Sequence, residues 1–176
     1  WCADLARLQK VCQMQNYEQN TRNFENFLVA AVDAVIAAQN AALAAESLGL
    51  GMCYIGGIRN NPREVIKLLE LPELVFPITG MTIGWPAVES PIRPRLSRDV
   101  VLHWEKYNTI INEQALLDYD QVMQDTGIYN NRQVLSPNRS GNMENYGWLE
   151  HTARRISQVT RPDLRREIEK QGFGLN

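Results

Sequence analysis

Apolar residues run almost unbroken through one long stretch of this chain. Phe27-Leu28-Val29-Ala30-Ala31-Val32 is followed by Ala34-Val35-Ile36-Ala37-Ala38 and then by Ala41-Ala42-Leu43-Ala44-Ala45. Asp33, Gln39, Asn40 and Glu46 are the polar interruptions. The run is too long for a strand and covers most faces of a helix, so it predicts a helix over residues 24–48 that is buried all round. The interruptions argue against a membrane span, which takes about 18 or more apolar residues in a row. The many alanines permit close approach to another backbone, either a sheet or the same helix of a second subunit.

Shorter patterns predict the remaining elements. Asn61-Pro62 suits a helix cap and first position, and Pro72 ends that helix near Leu71. Leu74 to Pro86 is β-branched, apolar and bounded by proline, which predicts a strand; Pro77 and Gly80 within it suggest an edge or a bulge. Ser97 to Glu105 reads as a further extended segment. Asn112 to Asp125 reads as a helix capped by Asn112, with Ala115, Leu116, Tyr119, Val122 and Met123 on its apolar face. Thr126 to Gly147 is polar and reads as a mobile surface loop. Glu150 to Gly172 is amphipathic and helical, broken at Arg161-Pro162. With no internal repeat and no boundary, residues 1–176 read as a single domain. The chain opens on Trp1-Cys2-Ala3-Asp4-Leu5, a strand entered midway, which suggests an N-terminal truncation.

Composition narrows the function class. Apolar residues make up 44%, charged residues 22% and the net charge is −2, which suits a globular protein and offers nothing to a nucleic acid. The three cysteines, Cys2, Cys12 and Cys53, lack metal-type spacing, and such sparse use favours a reducing cytoplasm. His103 and His151 are the two histidines, neither with a partner at metal-ligand spacing, and both read as surface or structural. No nucleophile elbow, zincin motif or P-loop is present. Catalytic side chains and a metal site are therefore not expected, and an organic cofactor becomes the natural carrier of any chemistry.

Three segments could hold one. Gly49 to Gly57 carries four glycines in nine residues, with Tyr54-Ile55 directly before Gly56-Gly57. Such a stretch suits a planar ring lying against backbone amides, and equally suits a helix C-cap at Gly49 followed by an ordinary turn. Arg93-Pro94-Arg95 places two guanidiniums on one side of an extended segment, able to clamp a phosphate or simply to be solvated. Arg132, in Tyr129-Asn130-Asn131-Arg132, could meet a nucleotide phosphate or sit on a surface loop. The arginines at 154, 155, 165 and 166 alternate with Glu150, Glu167 and Glu169, which reads as a solvated or interface face. Tyr54 and Trp85 could stack on a flat ring but read more readily as core, and Cys53 reads as buried next to the turn rather than redox-active.

Taken in order, Ala38-Gln39-Asn40, Ala44 to Gly51, Tyr54-Ile55-Gly56-Gly57-Ile58-Arg59-Asn60-Asn61, Gly84-Trp85-Pro86 and Arg93-Pro94-Arg95-Leu96 resemble the FMN-dependent nitroreductase superfamily. Within it they resemble the oxygen-insensitive NADPH nitroreductase and flavin reductase group. The resemblance implies an α+β, three-layer fold with a mostly antiparallel central sheet flanked by helices, in an intertwined homodimer holding FMN. It implies that Tyr54, Ile55, Gly56 and Gly57 lie against the flavin ring and that Arg93 and Arg95 bind its phosphate, Arg93 standing where relatives often have lysine. It implies a ping-pong reaction in which NADPH, met by Arg132, delivers hydride to the flavin and an acceptor then collects it. Nitroaromatics, quinones and free flavin are the implied acceptors.

Two departures bear on this. The family's basic Ser/His/Arg phosphate motif falls ahead of where this chain begins. Further, Thr126-Gly127-Ile128-Tyr129 lacks an arginine that in relatives helps select NADPH, which leaves NADH open as the donor. A non-catalytic flavin-binding or dimerisation module, or an apolar helical structural module, are the alternative readings.

Overall fold

The long helix, α2 (Phe24–Ser47), turns one stripe of small residues inward. Ala30, Ala34, Ala38, Ala42 and Ala45 recur at near-helical spacing and are buried. The expectation of burial on every face is corrected here. Leu28, Val29, Val32, Val35, Ile36 and Leu43 lie on the outer faces and are exposed. By length and composition alone α2 could also cross a bilayer. Its ends are set locally. The Asn23 side chain accepts from the Glu25 amide at 2.9 Å. At the other end Leu50 and Gly49 donate to the Ala45 and Glu46 carbonyls, with Gly49 at φ +76°, the paired closure that needs a left-handed residue.

The chain is described, in a computed structural model, over residues 1–136 and 143–176; residues 137–142 of the expected polar loop lie outside the described residues. It comprises two units, Trp1–Glu89 with Arg161–Asn176, and Ser90–Thr160. The first unit contains β1 (Cys2–Asp4), α1 (Ala6–Met14), α2, β2 (Gly51–Ile55), a 3-10 turn (Gly56–Asn60), α3 (Pro62–Leu68), β3 (Val75–Pro77), β4 (Gly80–Gly84) and a final helix (Leu164–Lys170). The second contains three helices, α4 (Arg98–Val101), α5 (Glu113–Asp125) and α6 (Trp148–Ile156), among the described residues; the final helix is α7.

The expected strand over residues 74–86 is two strands serving different partners. β3 pairs antiparallel with β1, and β4 pairs antiparallel with β2. The break falls at Ile78-Thr79, beside Pro77, whose ring supplies no amide to a ladder. There the Ile78 amide donates instead to the Trp1 carbonyl at 2.9 Å. Strand β2 and helix α1 are further elements, α1 carrying Leu8, Val11 and Cys12 at the i, i+3, i+4 spacing of one helix face. Within the segment expected to be extended over residues 97–105, Arg98–Val101 form the short helix α4, while Ser97 and Leu102 on either side are extended. Helix α3 stops at Leu68 rather than Leu71, where Glu70 adopts φ +51°.

The core of the first unit joins both ends of the chain. Ala3, Leu5, Ala30, Leu74, Phe76, Ile168 and Phe173 pack together, with Phe27 edge-on to Phe173 at 5.1 Å. Glu167 on α7 corrects the reading of that helix as a solvated face, because it is 8% exposed. Arg63 donates to its carboxylate at 2.8 Å and Lys170 at 3.2 Å. These bonds, Arg63 first, hold its pKa down to about 2. A carboxyl whose folded pKa is depressed stabilises the fold above its ordinary value and ceases to do so as pH falls through the folded value. Acid unfolding followed by circular dichroism is therefore expected to show the wild type losing stability from about pH 4.5 towards about pH 2. Glu167→Gln, about 2 kcal/mol weaker at neutral pH, is expected to show a flatter dependence there. Identical acid profiles would remove Glu167 from the stabilising set.

Candidate functional site

The glycine pair sits where β2 ends. Ile55 is paired with Gly80 across the strands, and Gly56 opens the 3-10 turn. Neither Gly56 nor Gly57 has a positive φ, so the backbone there makes no demand for glycine. Nor does the interior of the chain. A Cβ on Gly56 would meet only the tip of the Arg59 guanidinium at 3.4 Å, and one on Gly57 would meet Ile55 at 3.9 Å and Asn60 at 4.0 Å. Gly174 is the opposite case, since a Cβ there would overlap the Arg22 backbone. The space left bare at Gly56-Gly57 faces outward, a cradle that a side chain would fill. As the first residues of a helical turn they carry amides with no partner inside it.

Two arginines brace this turn. Arg161, itself at φ +54°, donates to the Gly56 carbonyl at 3.3 Å and to the Asn60 side chain at 3.0 Å. Arg59 donates to the Ile78 carbonyl. Its pKa is lowered by burial and then by the neighbouring Arg161 charge. Beside the turn, Tyr54 is 38% exposed and donates to the Gln39 side chain on α2 at 3.2 Å. Trp85, 79% exposed, borders an open hollow of about 310 Å³ with Met52, Ile83 and Pro86. Cys53 is exposed as well. The core readings of Tyr54, Trp85 and Cys53 are thereby corrected: Cys53 and Tyr54 are neighbours on β2 that point to opposite faces, and both are exposed, so the two-stranded ribbon is open on both sides there, while Trp85 lies past the end of β4.

The other expected phosphate ligands belong to the second unit. Arg93 and Arg95 are exposed on the irregular segment ahead of α4. The Arg95 guanidinium rests on its own segment, donating to the carbonyls of Arg93 at 3.3 Å and Pro94 at 3.2 Å. Neither arginine has a carboxylate partner among the described residues. Arg95 also lines a cavity of about 240 Å³ with Asp118 and Tyr119 of α5.

Arg132 lines a much larger cavity in that unit, about 700 Å³, with Tyr129, Trp148, His151, Arg155 and Gln158. Tyr129 stacks on His151 at 4.5 Å between centroids. The His151 pKa is lowered by burial and by Arg155. Neither Arg132 nor Arg155 has an acidic partner among the described residues. Two uncompensated guanidiniums beside stacked rings suit a phosphate-bearing aromatic ligand. Behind this wall lies Arg154, only 4% exposed, which corrects the solvated reading of α6. It donates to Glu150 at 2.8 Å and to the Val134 carbonyl at 2.9 Å, and lies 5.2 Å from the Tyr146 ring centre.

Comparison with known proteins gives this geometry its context. Residues 12–85 match the nitroreductase family and residues 93–176 match the nitroreductase family, C-terminal domain. A Cr(VI) reductase of Pseudomonas sp. (strain G-1) is 39% identical over 173 residues, covering 98% of this chain and 68% of that protein. The chain belongs to the nitroreductase family. An FMN reductase [NAD(P)H] of Bacillus subtilis (strain 168) is 38% identical, covering 98% of this chain and 67% of its own length. The solved structure of B. megaterium NfrA2 superposes with a TM-score of 0.86 at 35% identity, covering 99% of this chain and 68% of the other. The chain thus spans about two thirds of the length of these nitroreductase relatives.

The nitroreductase chain is α+β with antiparallel strand pairs, in line with the resemblance read from its motifs. Its sequence did not announce Arg155, Arg161 or the inward role of His151. Arg155 and His151 lie one helical turn apart on α6, the i and i+4 relation that puts two side chains on one face. That spacing was a readable signal, masked by the surrounding charge alternation.

Proposed function

We propose that the chain carries an FMN-dependent NAD(P)H oxidoreductase activity, a two-electron reduction of nitroaromatics, quinones or flavins. The observation that carries this is the Gly56-Gly57 turn, whose bare outward face neither backbone conformation nor internal packing accounts for. FMN, when bound, supplies the hydride chemistry. Gly56 and Gly57 offer amides to the ring edge, and preorganised donors stabilise charge that develops there. Tyr54 and Ile55 flank the ring, Arg161 holds the turn in shape, and Arg93 and Arg95 meet the phosphate. Arg132 and Arg155 receive the phosphates of the nicotinamide nucleotide, and this second arginine stands in for the one the loop lacks, which favours NADPH as donor. The exposed apolar face of α2 is the homodimer contact, in a cytoplasmic protein; a patch of that kind is a customary interface.

The test is the visible spectrum of the purified chain after loading with FMN and removal of free flavin, followed by anaerobic titration with NADPH and with NADH. A retained flavin band that NADPH bleaches is the expected result. A retained band that neither nucleotide bleaches would support flavin binding without turnover, and no retained band would refute the FMN reading for this chain.

Arg95 offers a separate check. Arg95→Glu is expected to weaken FMN binding by about 1–3 kcal/mol through lost charge-assisted bonds, while Arg95→Lys keeps most of it. Fluorescence titration of FMN measures both, and an unchanged affinity in Arg95→Glu would take this residue out of the site.

A further inference from the structure

Tyr146 closes a chain of hydrogen bonds behind the large cavity. The Val134 amide donates to its hydroxyl oxygen at 3.0 Å, and the same oxygen lies 3.2 Å from His151 Nδ1. Tyr146 is buried, and its hydroxyl proton finds no acceptor other than His151 Nδ1 among the described residues. A buried hydroxyl proton left without an acceptor is costly, so that proton points at Nδ1. Nδ1 then accepts, and the proton of a neutral imidazole resides on Nε2. The surroundings hold both partners in place. Arg154 bonds the Val134 carbonyl and lies against the Tyr146 ring, while Tyr129 stacks on the imidazole.

We propose that Tyr146 is a positioning residue which fixes His151 in its Nε2–H tautomer, so that the cavity presents a neutral N–H donor beside Arg132 and Arg155 to a phosphate-bearing ligand. The ligand half of this rests on the nucleotide reading above; the tautomer half does not. Burial and the Arg155 charge, which both disfavour the imidazolium, agree with a neutral ring. A neutral donor in this place adds a directed hydrogen bond where the two guanidiniums already supply the charge.

Long-range proton–nitrogen correlation spectra of the ¹⁵N-labelled chain test the tautomer without flavin or nucleotide. His103 is the internal reference, since the Asn108 amide donates to its Nδ1 at 3.2 Å, and His103→Gln assigns the two rings. The expected wild-type result is an Nε2–H pattern for His151, with a slowly exchanging Tyr146 hydroxyl proton correlated to Nδ1. In Tyr146→Phe the His151 pattern moves to a tautomer mixture while His103 stays put. A proton on His151 Nδ1, or an unchanged pattern in the variant, overturns the proposal. If the variant does not fold, the wild-type spectrum decides alone, because absence of the hydroxyl correlation also overturns it. Calorimetry with NADP⁺ reads the donor role: Tyr146→Phe should bind roughly fivefold more weakly, the share of one hydrogen bond, and equal affinity overturns that role. Failure of the oxidoreductase reading would show instead as a wild-type flavin band that neither nucleotide bleaches, with the tautomer unaffected.

Discussion

Gly56→Val is expected to abolish stable FMN retention while leaving the chain folded. A Cβ at this position meets only a movable guanidinium tip at 3.4 Å, and the backbone is not in a glycine-only conformation. The cost to the fold is therefore small, within about 1 kcal/mol, as for surface changes that strain nothing. The cost to the ligand is not small, because two methyl groups would occupy the space in front of the amides and hold a flat ring off them. Each hydrogen bond to those amides that is lost weakens binding by about 1 kcal/mol, roughly fivefold, and the lost contact area adds to it. Equilibrium titration of FMN, with the circular dichroism melt as the fold control, measures the two effects separately. Gly174→Ala is the contrasting variant: its Cβ would overlap Arg22, so it should lower stability whatever the ligand does. Wild-type flavin affinity in Gly56→Val would show that the bare turn serves no ring.

Arg154→Ala is expected to be the most destabilising of the arginine replacements. The guanidinium is buried, and its removal takes one partner from the Glu150 carboxylate and one from the Val134 carbonyl, together with the packing against Tyr146. Loss of charge-assisted bonds and of the packing of a buried side chain costs about 2–3 kcal/mol. Arg154→Lys should recover only part of this, since an ammonium cannot serve carboxylate, carbonyl and ring with one planar fork. Arg155→Ala, one residue along and exposed, should change stability by about 0.5 kcal/mol or less. Urea unfolding of the three variants distinguishes them, and equal midpoints for Ala at 154 and 155 would contradict the buried network. The same loss should loosen the wall that carries His151, so NADP⁺ affinity is expected to fall with stability in Arg154→Ala.

The contrast between these neighbouring arginines shows where the sequence stopped being legible. Alternating Arg and Glu on α6 and α7 reads as a solvated or interface face, yet Arg154 and Glu167 are buried within their own units and Arg155 is not. Charge pattern along one helix gives no sign of which turn another segment covers. The residues that cover Arg154, Val134 and Met143 among them, lie up to 20 positions away and carry no periodic signal. In the same way, an apolar run on α2 records that burial is wanted but not on which side; the side that meets the strands of its own unit is the alanine stripe, with Phe27 and Gln39.

What the sequence determined by itself was local or ordered. Asn112, Gly49 and Pro62 mark helix ends because capping and proline geometry act within a few residues. The ordered motifs from Ala38 to Leu96 were enough to point to the nitroreductase family, since a series of short matches in register is far more specific than any one of them. Tertiary structure alone decided the splitting of residues 74–86 between two strand partners, the outward setting of Tyr54 and Trp85, and the gathering of Arg132, His151 and Arg155 around one cavity. Each of these depends on which distant backbone or side chain arrives to pair or pack. Such arrivals are fixed by the free energy of the whole fold rather than by any window of the chain.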